Sequence, residues 1–140
     1  MKEMLNTSIN YGIMEKHFGS IKSMNQELKI NSNDIIDSMG SLNERFSGKN
    51  ILLTGAAGFL GCQFIHYFKI LNGKHILDKP CHLYAWDNYL LGKPDWLNQL
   101  QNRSDLSVCD KDVTKNKKFP EIIDWRRVGC WGMVSYIHSA

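Results

Sequence analysis

The sequence predicts an α/β protein built on a parallel sheet with flanking helices. Three observations carry that prediction. Short apolar runs alternate with segments of helical apolar spacing from Asn50 to the end of the chain. The first run, "NILLT" (Asn50 to Thr54), is apolar almost throughout, as suits a strand covered on both faces. It leads directly into "GAAGFLG", a glycine turn placed between a strand and a helix.

Taken in order, residues 1–31 are polar and weakly patterned, and the expectation is a weakly helical or partly disordered extension. In "SNDIIDSMGSLNERFSGKN", Ile35, Ile36, Met39, Leu42 and Phe46 fall near helical spacing. Ser32 or Asn33 is placed to cap that helix and Gly48 to stop it, with Gly40 as an interruption. The division expected is an extension over residues 1–45 and a domain over residues 46–140. After the glycine turn, Leu60, Phe64, Phe68 and Leu71 mark a helix that Gly73 ends. "CHLYAWD" (Cys81 to Asp87) reads as a second strand closing on an acid. "KPDWLNQLQ" reads as a short helix with Pro94 near its first turn. "LSVCDKDV" (Leu106 to Val113) is a third strand, "FPEIIDWRR" a helical turn or two, and "MVSYIHSA" (Met133 to Ala140) a fourth strand.

Composition narrows the function classes. The 140 residues suffice for about one domain, and 17 basic against 14 acidic residues leave a net charge of +3. That charge is too mild and too scattered to argue for nucleic acid; the lysines of "KDVTKNKK" fit a solvated loop. Cys62, Cys81, Cys109 and Cys130 show no C-x-x-C spacing, so neither a zinc knuckle nor a redox pair is signalled. The five histidines have no partner at metal-ligand spacing, and no metal is expected. No stretch approaches membrane-spanning length and the first residues have no apolar signal core, so a reducing, cytoplasmic setting with free thiols is expected.

The glycines carry the chemistry. In a strand–G-x-x-G-x-x-G–helix unit the first glycine turns the chain sharply and the second lets the backbone approach a pyrophosphate. The third lets helix and strand pack closely. Those roles fall to Gly55, Gly58 and Gly61. The N–H groups near Phe59 and Leu60, at the positive end of the helix dipole, would face the phosphates. A Walker loop is excluded, because Cys62 and Gln63 follow Gly61 where Lys and Ser or Thr are needed. Asp87, at the end of strand two, can accept hydrogen bonds from both adenosine ribose hydroxyls and would repel a 2′-phosphate, which favours NAD over NADP. It lies 26 residues after Gly61, a longer interval than usual, the excess falling in "KILNGKHILDKPC". Asp112, at the end of strand three, can meet the adenine amino group, with Val113 covering the ring.

"NILLTGAAGFLG", "LYAWDNY", "KDVT" and "YIHSA" together resemble the N-terminal half of the extended short-chain dehydrogenases/reductases, the NAD-dependent epimerase/dehydratase family. "TGAAGFLG" matches that family's T-G-x-x-G-F-[LIV]-G form at each position. Asn88, in "DNY", is similar to the "DN" of nucleotide-sugar epimerases, dehydratases and UDP-glucuronate decarboxylases, and "DNYLLGKPDWLNQL" looks most like the decarboxylase-like branch. "YIHSA" is similar to the "HxAA" strand end beneath the nicotinamide-side ribose, which adds Ala140 to the cofactor contacts. The resemblance covers roughly residues 45–140. It implies a Rossmann-type fold, bound NAD, strand order 3-2-1-4, and a nucleotide-sugar substrate oxidised transiently to a keto sugar.

The family's catalytic Tyr of a Y-x-x-x-K pair belongs well after strand four. The one match here, Tyr89 and Lys93 in "YLLGK", follows strand two in a glycine-proline loop and reads as a coincidence of spacing. No catalytic residue is therefore assigned. The expectation is the NAD-binding part of such an enzyme, truncated before its catalytic half and inactive alone. Two alternatives stand beside it: a non-catalytic NAD or adenine-nucleotide binding module, and a remnant that holds no ligand. An edge at strand four is expected to expose a pairing surface and to favour self-association.

Overall fold

A computed structural model describes residues 21–115 and 135–137. Their order is helix α1 (Ile21–Met39), a 3-10 helix (Gly40–Phe46), strand β1 (Asn50–Thr54), helix α2 (Phe59–Gly73) and strand β2 (His82–Asp87). Helix α3 (Asp95–Leu100), strand β3 (Leu106–Asp110) and strand β4 (Ser135–Ile137) follow. The strands form one sheet in the order β3-β2-β1-β4, the predicted 3-2-1-4.

The three-stranded part is parallel. Asn50 pairs with His82 and Thr54 with Trp86, while Leu83 pairs with Leu106 and Asp87 with Asp110. All three strands therefore end at the same edge of the sheet, where the glycine turn begins. The layout is that of an incomplete Rossmann-like fold. The fourth strand differs from the prediction in its direction. β4 runs antiparallel to β1, with Ile51 opposite Ile137 and Leu53 opposite Ser135. A parallel return needs a crossover, usually helical. The predicted turns in "FPEIIDWRR" lie outside the described residues.

Alternation along β1 divides the core. Ile51 and Leu53 join the main cluster with Ile65, Phe68 and Leu71 of α2, and with Trp96 and Leu97 of α3. Leu52 belongs to a smaller cluster with Trp86, against which Tyr84 and Cys109 pack. Burying a Leu or Ile side chain stabilises by roughly 1.5–3 kcal/mol, so the helix-facing cluster dominates.

The N-terminal helix corrects the sequence reading. It is well under way by Ser32, which is buried mid-helix rather than capping a start. Met24, Leu28, Ser32 and Ile36 recur every fourth residue and are all buried, one stripe with a polar member that broke the apparent pattern. Ile35 and Leu42, two of the residues at helical spacing, lie off that stripe and are about half exposed. Gly40 ends the α-helix at φ +49, and Gly48 takes φ +65 after the 3-10 segment. Asn43 closes this corner: its amide donates to the Ile36 and Gly40 carbonyls at 2.8 and 2.7 Å, and its oxygen accepts from the Tyr67 hydroxyl at 2.6 Å. The segment Gly40–Phe46 is thereby tied to α2.

Asn72 fastens the long α2–β2 connection. It donates to the Cys81 carbonyl and the Asp105 carboxylate and accepts from the Cys81 N–H. Asp105 also takes a two-point contact from Arg103 at 2.8 and 2.7 Å. Burial raises the Asp105 pKa, but the hydrogen bonds from Arg103 and Asn72 and the Arg103 charge outweigh it and hold it below the usual carboxylate value.

Candidate functional site

The site lies where β1, β2 and β3 end together. β1 runs out at Thr54, and Gly55 turns the chain at φ +66, in the left-handed region that favours glycine. The Ala56 N–H continues the ladder to the Trp86 carbonyl at 3.1 Å, and the Gly58 N–H closes the turn on the Gly55 carbonyl at 3.1 Å. α2 starts at once, with Gly58 as its cap residue.

The three glycines differ in what they require. A Cβ on Gly61 would collide with the Ala56 carbonyl oxygen and stand 2.6 Å from that of Gly55, so close packing of helix on turn demands glycine there. Gly58 has φ −78 and ψ 178, open to any residue, and an added Cβ would meet the Gly55 oxygen at a tight 3.2 Å. Gly58 is exposed, and so are Phe59 and Leu60 beside it. The helix's first N–H groups have no carbonyl four residues back within the helix, which leaves this turn suited to an anion.

Asp87 closes the site from β2. Its Oδ2 accepts the Ala57 N–H at 3.0 Å and its Oδ1 accepts the Tyr89 N–H at 2.8 Å. The carboxylate thus braces the glycine turn from the neighbouring strand, a link across 30 residues that spacing alone did not reveal. A carboxylate has about four acceptor positions, so two remain for hydroxyl donors. Asn88 is exposed next to it, with its side-chain oxygen engaged by the Leu90 N–H at 3.3 Å.

The third-strand residues are placed differently from the prediction. β3 stops at Asp110, and Asp112 sits beyond it in a turn of its own. The Lys111 N–H to the Asp87 carbonyl, at 2.9 Å, keeps that turn beside the β2 end. The Asp112 carboxylate accepts from the Thr114 N–H at 2.9 Å and hydroxyl at 2.6 Å, and pairs with Lys115 at 3.4 Å. Those bonds to Thr114 hold its pKa below the usual carboxylate value. Val113 is half exposed. Ala140 lies outside the described residues, and β4, which leads to it, ends opposite Ile51 at the far edge of the sheet from the glycine turn.

Tyr89 and Lys93 make no phenol–ammonium pair. Lys93 Nζ stands over the Tyr89 ring, 5.5 Å from its centroid, in a cation–π arrangement. The Tyr89 hydroxyl is buried without a hydrogen-bond partner, and burial, with the charges of Asp87 and Asp110, pushes its pKa up to about 12. A phenol so raised is a poor base at neutral pH. Among the described residues no three His, Cys, Asp or Glu side chains are grouped to hold a metal ion. Nor, among them, is any helix long and apolar enough to cross a membrane.

Compared with protein-family models, with curated proteins and with solved structures, the chain matches none.

Proposed function

We propose that the turn from Gly55 to Gly61, together with Asp87, binds the adenosine diphosphate portion of NAD. One observation carries the reading. Gly58 is exposed, backbone-unstrained and lacks a Cβ beside a helix start braced by the Asp87 carboxylate. Packing explains Gly61 and backbone conformation explains Gly55, whereas close approach of a ligand is what gives Gly58 a purpose. NAD bound there would lay its pyrophosphate on the first turn of α2 and its adenosine ribose on the free acceptor positions of Asp87. Asn88, Val113 and Asp112 would lie toward the adenosine side, and Phe59 and Leu60 along the phosphates.

The enzyme reading extends this to a nucleotide-sugar epimerase, dehydratase or decarboxylase. NAD would supply transient oxidation of the sugar, while these residues bind and orient the cofactor. Tyr89 and Lys93, the one Y-x-x-x-K of the sequence, form no phenol–ammonium pair, and the role proposed for this chain is cofactor binding. A cytoplasmic setting, where free thiols such as Cys62, Cys81 and Cys109 persist, suits the reading. An NAD-sensing module is the second form of the same proposal and rests on the same turn.

Calorimetric titration of the whole chain with NAD and with NADP tests it. Saturable NAD binding is expected, with NADP at least about tenfold weaker because Asp87 repels the 2′-phosphate. Asp87→Asn should narrow that preference. A folded protein that binds neither nucleotide would contradict the proposal and leave a ligand-free turn.

A further inference from the structure

A second concavity, open to solvent on one side, lies away from the glycine turn and is bounded by α1, α2 and α3. Its volume is about 420 Å³, within the range of small-molecule sites. Lys29 of α1 and Lys69 of α2 lie on its walls, and among the described residues no acidic side chain lines it. Neither lysine makes an ion pair with a described acid. Ile70, Trp96 and Leu100 supply apolar surface. Charge and apolar area therefore meet in one cleft.

Two buried side chains add directional chemistry. Trp96 is 6% exposed, lines the groove, and its indole N–H has no hydrogen-bond partner, a costly state for a buried donor. His66 is equally buried, 6.0 Å from the Trp96 ring between centroids. Its Nδ1 lies 3.0 Å from the Cys62 carbonyl oxygen. A carbonyl only accepts, so Nδ1 carries the proton and Nε2 of the neutral ring keeps a lone pair. Burial, and the nearby Lys69 charge, favour that neutral form.

We propose that this groove binds a small aromatic or alicyclic hydroxycarboxylate, with its carboxylate toward Lys29 and Lys69, its ring along Trp96, Ile70 and Leu100, and its hydroxyl donating to His66. Two cations, with no acid beside them among the described residues, call for an anion. The apolar wall calls for a flat hydrocarbon body, which inorganic phosphate lacks. The acceptor on His66 calls for a donor on the ligand. The site is independent of the glycine turn: its described lining comes from the three helices.

The test uses 4-hydroxybenzoate as probe on the full chain, followed by the indole N–H resonance of Trp96, assigned with Trp96→Phe. A saturable shift is expected. It should weaken about five- to tenfold in the doubly substituted K29Q/K69Q chain, each solvent-accessible charge contributing modestly. The neutral analogue 4-hydroxybenzyl alcohol should bind at least as weakly as the acid binds that variant. NAD binding should be unchanged by both lysine substitutions. Absence of a saturable shift up to about 10 mM probe in a folded sample would overturn the proposal. So would equal shifts with acid and alcohol.

Discussion

At Gly58 an added Cβ would stand 3.2 Å from the Gly55 carbonyl oxygen, a contact that a shift of a few tenths of an ångström relieves. At Gly61 the same atom would be driven into the Ala56 carbonyl. Gly61→Ala should therefore destabilise the fold by roughly 2 kcal/mol or more, as overpacking against backbone does. Thermal or urea unfolding would measure it, and an unchanged midpoint would contradict the packing role. The spacing of glycines was legible because backbone constraints allow few substitutes. The Asp87 bond to the Ala57 N–H was not, since it joins residues that only the parallel β1–β2 pairing brings together. Neither was the self-contained turn at Asp112, because Thr114 two residues on competes for the carboxylate assigned to a ligand.

Among the elements, α2 organises the helical side. Tyr67 on α2 and Asn43 in the 3-10 segment share a buried bond that fixes how α1 ends. Tyr67→Phe should cost about 1–2 kcal/mol by leaving the Asn43 oxygen unsatisfied, without altering secondary structure. Unfolding monitored by far-UV circular dichroism reads both. α1 was only half legible in sequence. Ser32 interrupts the apolar stripe of Met24, Leu28 and Ile36, and a small polar side chain at a helix contact looks like a cap until its neighbours are known. The parallel strands were legible from their apolar runs, which fit burial on two sides. The direction of β4 was not, since three residues carry no information on polarity and the choice rests on the connection before them.

For the whole molecule, buried titratable groups set the pH range of stability. Burial lowers the His66 pKa from 6.5, opposed in part by its bond to the Cys62 carbonyl and assisted by Lys69. The unfolded chain takes up that proton near pH 6.5 while the folded chain resists, so stability is complete above pH 6.5 and falls as pH drops toward the folded value. Burial pushes Cys62 up to about 12 and Cys81 up to about 11, from 9.0. Unfolded thiols ionise above pH 9 and folded ones do not, so stability also falls as pH rises beyond 9. Urea midpoints at pH 5.5, 7.5 and 9.5 should peak at the middle value, and His66→Gln should flatten the acid limb. The sheet ends in β3 on one side and β4 on the other among the described residues. Open edges favour pairing with a second copy, and sedimentation should show association rising with concentration. A monodisperse monomer across a hundredfold range, about 1 to 100 μM, would contradict it.

The most direct measurement is NAD affinity in the native chain and in Gly58→Ala, with the unfolding midpoint of each taken alongside. The account predicts stabilities within about 1 kcal/mol, because the Gly58 backbone suits any residue and its new contact is narrow. It predicts at least about a tenfold loss of NAD affinity, because the added methyl group occupies the approach of the pyrophosphate. Equal affinity in both proteins, or no NAD binding by a folded native chain, would contradict it.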